Sequence, residues 1–511
     1  MSDWTAGYVA DIGYTFGYYL ELNPLRVKLA FLNAGLVCPE FGTACELGFG
    51  QGMSANIHAS ATVTQWHGTD FNPAQAGFAQ ELASISGNDA KLYDQAFDEF
   101  AARADLPDFD YIGLHGIWSW ISDANRAVIV DFIRRKLRVG GVLYISYNAQ
   151  PGWAAMVPMR DLLTEHSEVM GATGHGIVPR IDAALMFAEK LLATNPTYAK
   201  ANPLIADRVK KIKEQNRNYV AHEYFNRDWK PMPFADMAKW LEPAKLGFAC
   251  SANYLDFVEA LNLTKEQQTL LNEIPDAMFR QSVRDFMVNQ QFRKDYWVKG
   301  ARRLSTLEQM EGVRAQRVLL TTHRADVALK VTGALGAAEM SEAIYGPVLD
   351  ALADQKPRAI GQIEHAVSGK GLTFAQLVQA VLVLTGMGLV AALQDDMSVL
   401  KAKKRTDKLN LYLINKSRSS GEITFLASPV VGGGISVSRF QQLFLLAGSF
   451  GKKLPSDVAA FVWQILSAQN QKILKDGKTL ETSEENLAEL TAQAETFAHK
   501  QLPILKALQI A

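Results

Sequence analysis

The stretch TACELGFGQGMS, residues 43–54, decides the fold. A short apolar run, Ala44 to Leu47, carries an acid at Glu46, and glycines follow at Gly48, Gly50 and Gly52. An amphipathic run begins near Met53. This reads as strand, glycine-rich turn and helix, with glycines where the chain turns sharply and a ligand must meet bare backbone. Asp70 comes twenty-two residues after Gly48, in the stretch WHGTDFN from Trp66. There the end of a second strand sets an acid against two ribose hydroxyls. The spacing E-x-G-x-G-x-G is not the dinucleotide G-x-G-x-x-G, and no Lys-Ser or Lys-Thr pair follows as in a phosphate-cradling loop. An acid ahead of the glycines repels a pyrophosphate. It suits a ligand that joins an ammonium group to a ribose, such as S-adenosylmethionine. The plain alternative is a tight strand–helix turn with no ligand.

Outward from this stretch, strands alternate with helices. Strands are expected at 64–69, 91–94, 109–114 and 142–147, and helices from Met53 and at 73–84 and 125–137. That alternation predicts a mostly parallel sheet covered on both faces. Ligands bind outside the carboxyl ends of such strands, which places the site at Gly48 to Gly52, Asp70 and Phe71, residues 94–98, His115 to Trp120, and Tyr147 to Trp153. Residues 8–36 read as a helix broken at Pro24. Tyr14, Tyr18 and Tyr19 then share a face, either as core packing or as a cover over the cofactor. Residues 155–218 read as a helical insertion over the site. The run VAHEYF, 220–225, reads as a strand, 234–241 as a helix, 248–254 as a further strand, and 264–303 as helical.

The chain has 511 residues, 48% of them hydrophobic, too many for one core. The expected units are 1–154, a cofactor-binding core; 155–218, the insertion; 219–303, which completes the sheet; and 304–511, a carboxy-terminal unit. In the last unit, helices at 339–353, 361–367 and 374–384 precede strands at 389–393 and 409–413 around the charged loop KAKKRTDK, 401–408. This is a winged-helix pattern, but its third helix carries no charge to meet DNA, so it reads as protein contact. A loop, exposed or closely approached by another segment, is expected at 427–436. A formal net charge of −1 offers no basic field for nucleic acid. Cys38, Cys45 and Cys250 form neither a metal pattern nor a disulfide framework, and no metal is expected. The apolar run 374–393 is interrupted by polar residues and glycines and reads as buried helix, turn and strand rather than a membrane span. No signal peptide is read at the start, and a cytoplasmic location is expected.

The residues now quoted carry a resemblance. ELGFGQG at Glu46 to Gly52, Asp70, FDYIGLHGIWSW from Phe109 and LYISYNAQPGW from Leu143 resemble class I S-adenosylmethionine-dependent methyltransferases. The block from Tyr219 to Tyr254, the run FRKDYWVKG from Phe292, and GYTFGYYLELNP from Gly13 look like the group with a methyltransferase regulatory domain. That group includes proteins similar to the rickettsial outer-membrane-protein lysine methyltransferases. The resemblance covers the first 300 or so residues. It implies an α/β, Rossmann-like, seven-stranded methyltransferase sheet and a protein-lysine substrate, such as a surface or outer-membrane protein precursor. It also implies a cofactor set of Tyr14, Tyr18, Glu46, Gly48, Gly50, Gly52, Asp70, Phe71, Ala96, Phe97, Asp98 and His115. Methyl transfer needs a neutral amine, and aromatic faces hold the methylated cation. The acceptor-side candidates are therefore Trp118, Trp120, Tyr147 and Trp153, with His222 and Glu223 ordering the substrate or taking a proton. For these the plain alternative is core packing. Two other readings remain open: a small-molecule or lipid-precursor N- or O-methyltransferase, and a non-catalytic cofactor-binding scaffold.

Overall fold

The computed structural model of this protein describes residues 5, 7–9, 12–171, 174 and 176–511. Its centre is a seven-stranded sheet. The strands are β1 (Thr43–Leu47), β2 (Gln65–Thr69), β3 (Lys91–Tyr93), β4 (Phe109–Leu114), β5 (Leu137–Asn148), β6 (Leu246–Ser251) and β7 (Phe292–Lys299). They run in the order β3-β2-β1-β4-β5-β7-β6. The first five are parallel, and β7 inserts antiparallel between β5 and β6. Around them lie α1 (Pro24–Asn33), α2 (Met53–Ala61), α3 (Pro73–Ser86), α4 (Phe97–Ala101) and α5 (Asp123–Lys136).

The glycine turn between β1 and α2 is built as its sequence demands. Gly48 has φ of 70°, and a Cβ there would stand 2.4 Å from Ile117 Cδ1. Gly52, with φ of 69°, caps α2, and a Cβ would stand 2.4 Å from that of Ala79. A side chain at either position is strained by the positive φ, and at Gly52 it also collides with the backbone of α3 at Ala79.

Several expectations are corrected. The run 264–303 is not wholly helical, because Phe292–Lys299 is the interior strand β7. Its charges misled: Arg293 is buried, donating to Asp285 (2.6 Å) and Asp295 (2.9 Å), so they cancel one another inside the sheet. The run 220–225 is not a strand but falls in a helix. Val220, Ala221 and Tyr224 have helical spacing and pack on the insertion. That insertion comprises α6 (Val157–Val169), α7 (Ile177–Ala193), α8 (Thr197–Ala201), α9 (Ile205–Glu214) and α10 (Arg217–Tyr224). Residues 13–19 are extended rather than helical, and the helical part begins at Leu20. The three tyrosines therefore do not share a helix face.

In the carboxy-terminal unit, helices Glu342–Ala351, Ile360–Ala366 and Phe374–Gly386 are followed by the strand Val390–Ala392. This strand pairs with Arg317–Leu320, which also pairs with Arg358–Ala359. The expected strand at 409–413 and the charged loop before it both lie in one long helix, Asp396–Lys416. Val399, Ala402, Thr406, Leu409 and Leu413 form its buried stripe, while the lysines are the opposite, solvated face. Asp395 caps its start through Ser398 N–H (3.0 Å). This helix lies on α2 and α3, and Leu409, Leu413 and Leu426 share a core with Met53, Ile57 and Leu82. The segment 427–436 belongs to a largely buried hairpin of Phe425–Ser428 and Gly433–Ser436; of its two expected forms it is the close approach, with Tyr18 and Asn23 set against Gly433, and not the exposed loop. Among the described residues no helix is long and apolar enough to cross a membrane.

Candidate active site

The carboxyl ends of β1, β2 and β4, with Thr5, Tyr8, Tyr14 and Tyr19, enclose a cleft of about 1070 Å³ including its mouth. Its floor is acidic. Glu46, in β1, is 3% exposed, and its Oε2 is buried without a hydrogen-bond partner. Burial, reinforced by the charge of Asp70, pushes its pKa up to about 8. Asp70 follows β2. It accepts from Asn72 N–H (3.0 Å) at Oδ1 and from Gly50 N–H (2.8 Å) at Oδ2. Burial raises it to about 6 despite those bonds. Asp70 thus holds the glycine turn as well as facing the cleft.

The walls are aromatic. Tyr8, Tyr14 and Tyr19 line one side. Tyr8 meets the Phe71 ring edge-on at 5.7 Å, and Tyr19 stacks on His115 at 3.6 Å. His115 shares a hydrogen bond with the Tyr144 hydroxyl at Nδ1 (2.7 Å), and burial lowers its pKa to about 3, so it is a neutral imidazole. Gln75, Gln95, Ala96 and Phe97 close one end; Ile117, Trp120, Ile121, Ser122, Asn125 and Asp228 form the other part of the lining. Ala96 N–H donates to Glu99 (2.9 Å), capping α4.

The cleft therefore gathers Tyr14, Glu46, Gly48, Gly50, Asp70, Phe71, Ala96, Phe97 and His115 from the sequence-based set. Others lie elsewhere. Gly52 is the buried cap of α2, and Asp98 is exposed on α4. Tyr18 turns away: its hydroxyl meets His58 Nε2 (3.1 Å), and its ring packs on Phe425 beside Gly433 and Gly434. Trp118 is fully buried, its indole donating to Met232 Sδ (3.3 Å). Tyr147 is fully buried too and donates to Asp295 (3.1 Å). Trp153 belongs to the insertion's core, with the Arg208 guanidinium 3.9 Å above its ring. Tyr147 points to the covered face of β5, while Trp118, in the short helical turn Trp118–Trp120, and Trp153, in the turn after β5, pack into neighbouring cores. His222 is buried behind the wall. Its Nε2 lies 3.0 Å from Ile12 carbonyl oxygen, and its ring touches Tyr8 and Tyr14, so it holds the tyrosines in place. Glu223 stands beyond Trp120, whose indole donates to the Glu223 carbonyl (3.2 Å). Tyr8, Gln75, Asn125 and Asp228 escaped sequence reasoning because no local pattern marks them, whereas Gln95 lies in the expected strand end 94–98.

This sheet order, with one reversed strand and a glycine turn facing an acid at the next strand, defines the class I methyltransferase fold. Residues 216–299 match the family described as a predicted methyltransferase regulatory domain. An uncharacterized protein of Synechocystis is 42% identical over 99% of both chains. An uncharacterized protein of Rickettsia prowazekii is 30% identical over 37% of this chain and 76% of its own length. Among solved structures, PKMT2 from Rickettsia typhi in complex with AdoHcy superposes with a TM-score of 0.69 at 16% identity, covering 97% of this chain and 99% of that one. The chain belongs to the family of class I S-adenosylmethionine-dependent methyltransferases that carry this regulatory domain.

Proposed function

We propose that this chain uses S-adenosylmethionine to methylate lysine side chains of another protein. The observation that carries the reading is the unpartnered, buried Glu46 carboxyl beside Asp70 at the bare glycine turn. A buried carboxyl without a partner is costly, and an ammonium group relieves it. The residues present therefore fit the cofactor. Glu46 receives its ammonium, Asp70 accepts from two ribose hydroxyls, and Gly48 and Gly50 leave room for its backbone-like chain. Phe71, Ala96 and Phe97 flank the adenine, with Gln75 and Gln95 near its polar edge. When bound, the cofactor supplies an electrophilic methyl carbon on a sulfonium. Tyr14, Tyr19, His115 and Trp120 exclude water there and offer ring faces to a methylated cation.

The preference for a protein acceptor rests on the large insertion and carboxy-terminal unit, since a small acceptor needs only a closed pocket. The resemblance to the rickettsial lysine methyltransferases points the same way. The test is incubation with methyl-labelled S-adenosylmethionine and a lysate of the source organism. Label in a protein band that maps to lysine by peptide mass spectrometry is expected. Label confined to the small-molecule extract overturns the protein acceptor, and absence of cofactor binding by calorimetry overturns the whole reading.

A further inference from the structure

The chain has a second glycine run, VVGGGIS at 430–436, that the methyl-transfer reading leaves unused. Gly433 and Gly434 lie in the second strand of the hairpin Phe425–Ser428 and Gly433–Ser436. Neither has a positive φ, so backbone conformation does not demand glycine there. Close approach does. A Cβ on Gly433 would stand 2.5 Å from the Tyr18 hydroxyl oxygen and 2.6 Å from Asn23 Nδ2, and one on Gly434 would stand 3.0 Å from three carbons of the Tyr18 ring. The two glycines are bare because a distant segment rests on them.

That segment carries one wall of the cofactor cleft. Tyr18 is buried, with its ring on Phe425 (5.1 Å) and its hydroxyl on His58 of α2 (3.1 Å). Asn23 donates to the Val431 carbonyl oxygen (3.1 Å), while its Oδ1 caps α1. Tyr19 stands between these two anchors and faces the other way. Its N–H donates to Ser54 Oγ (2.9 Å), and its ring lines the cleft, stacked on His115 at 3.6 Å. The hairpin is fixed from behind. Asn410, in the long helix Asp396–Lys416, accepts from the Ala427 N–H (2.7 Å) and donates to the Ala427 carbonyl (2.8 Å). Ser428 donates to the Leu508 carbonyl (2.7 Å), and Gln394 donates to the carbonyl of Ala61 at the end of α2 (2.7 Å). Close packing transmits strain rather than absorbing it, so a displaced Tyr18 reaches Tyr19 through a single peptide unit.

We propose that the carboxy-terminal hairpin positions the cofactor wall: Gly433 and Gly434 seat Tyr18 and Asn23, and thereby hold Tyr19 against His115. The carboxy-terminal unit then sets cofactor affinity without touching the cofactor. This rests on the cofactor assignment above and adds the positioning residues that support it from outside the cleft.

The experiment is titration calorimetry of S-adenosylhomocysteine on the full chain, with Gly434→Val as the first variant. Its added Cβ meets the Tyr18 ring, which lies outside the cleft. Affinity is expected to fall about 10-fold or more, the scale of coupling between distinct sites. Tyr18→Ala, which removes the ring, is expected to lower it comparably. Gly434→Val added to Tyr18→Ala is expected to cost little more, because both act through one contact. Tyr18→Phe keeps the ring and is the conservative variant expected to retain affinity. Reciprocity supplies a second measurement that needs no variant: S-adenosylhomocysteine is expected to slow amide exchange in residues 425–436 of the wild type. Wild-type affinity in Gly434→Val, or additive losses in the double variant, overturns the proposal and leaves the cofactor assignment intact. So does hairpin exchange left unchanged by a ligand that protects residues 48–52, and this result decides where Gly434→Val does not fold. A wild-type chain that binds no S-adenosylhomocysteine overturns both.

Discussion

Glu46 is buried and Glu223 half-buried, and among the described residues neither forms an ion pair with a lysine or arginine, yet the chain builds them differently. Glu46, its glycines and the cap of α2 all lie within residues 43–54, and only Asp70 comes from farther along. Glu223 meets the Asn148 amide across seventy-five residues of chain, and its backbone carbonyl accepts from the Trp120 indole of a third segment. The first is a contiguous motif in which each residue also shapes the backbone. The second is assembled from elements that other contacts hold in place. A substitution in the first half therefore disturbs turn and ligand together, while the second half is open to change one residue at a time.

The largest effect expected is Asp70→Ala. It removes the proposed ribose acceptor and frees Gly50 N–H, with an expected cost of about 3–6 kcal/mol of S-adenosylmethionine binding, or 100-fold and more by calorimetry. Near-wild-type affinity would break the cofactor assignment. Next comes Trp153→Ala. Because Trp153 fills the insertion core, the variant is expected to lose about 3–5 kcal/mol in urea unfolding and to keep its cofactor affinity. Unchanged stability with lost turnover would return Trp153 to the acceptor side.

A smaller effect sharpens the comparison through pH. Free Glu46 is protonated below about 8, and an ammonium neighbour favours the carboxylate. Cofactor binding therefore expels a proton, and affinity rises with pH, by up to about 10-fold per unit, until it flattens near pH 8. Calorimetry in two buffers of different ionisation heat reads the proton directly. Glu46→Gln is expected to abolish the release and Glu223→Gln to preserve it; the reverse would exchange the roles of the two acids. The smallest effect belongs to Tyr18→Phe, which loses one buried hydrogen bond to His58. It is expected to cost about 1 kcal/mol of stability with no change in cofactor affinity, whereas a large affinity loss would bring Tyr18 back to the cleft.

Much of the cofactor half was legible because its reasons are local. A glycine is required where φ is positive and a Cβ would collide, and an acid at the next strand end follows from strand length alone. Gly48 and Asp70 were placed that way, Phe71 and His115 by their positions at strand ends, and all four line the cleft. The errors have equally physical causes. The β7 segment hid behind charges that Arg293, Asp285 and Asp295 neutralise only once the strand is buried. The strand expected at Val220 ignored the helical spacing of Val220, Ala221 and Tyr224, which acquires meaning only against α6 and α7. Trp118, Tyr147 and Trp153 lie near strand ends, but which face each takes depends on the layers packed outside the sheet.

The sequence by itself determined the parallel half of the sheet, the glycine turn, and the acids that face it, since backbone geometry and near-neighbour periodicity set them. Only the tertiary structure decided the reversed strand β7, the burial of Tyr18 against the carboxy-terminal hairpin, and the meeting of Asn148 with Glu223. Those depend on which distant surfaces exclude water from one another, and no local pattern in the chain carries that information.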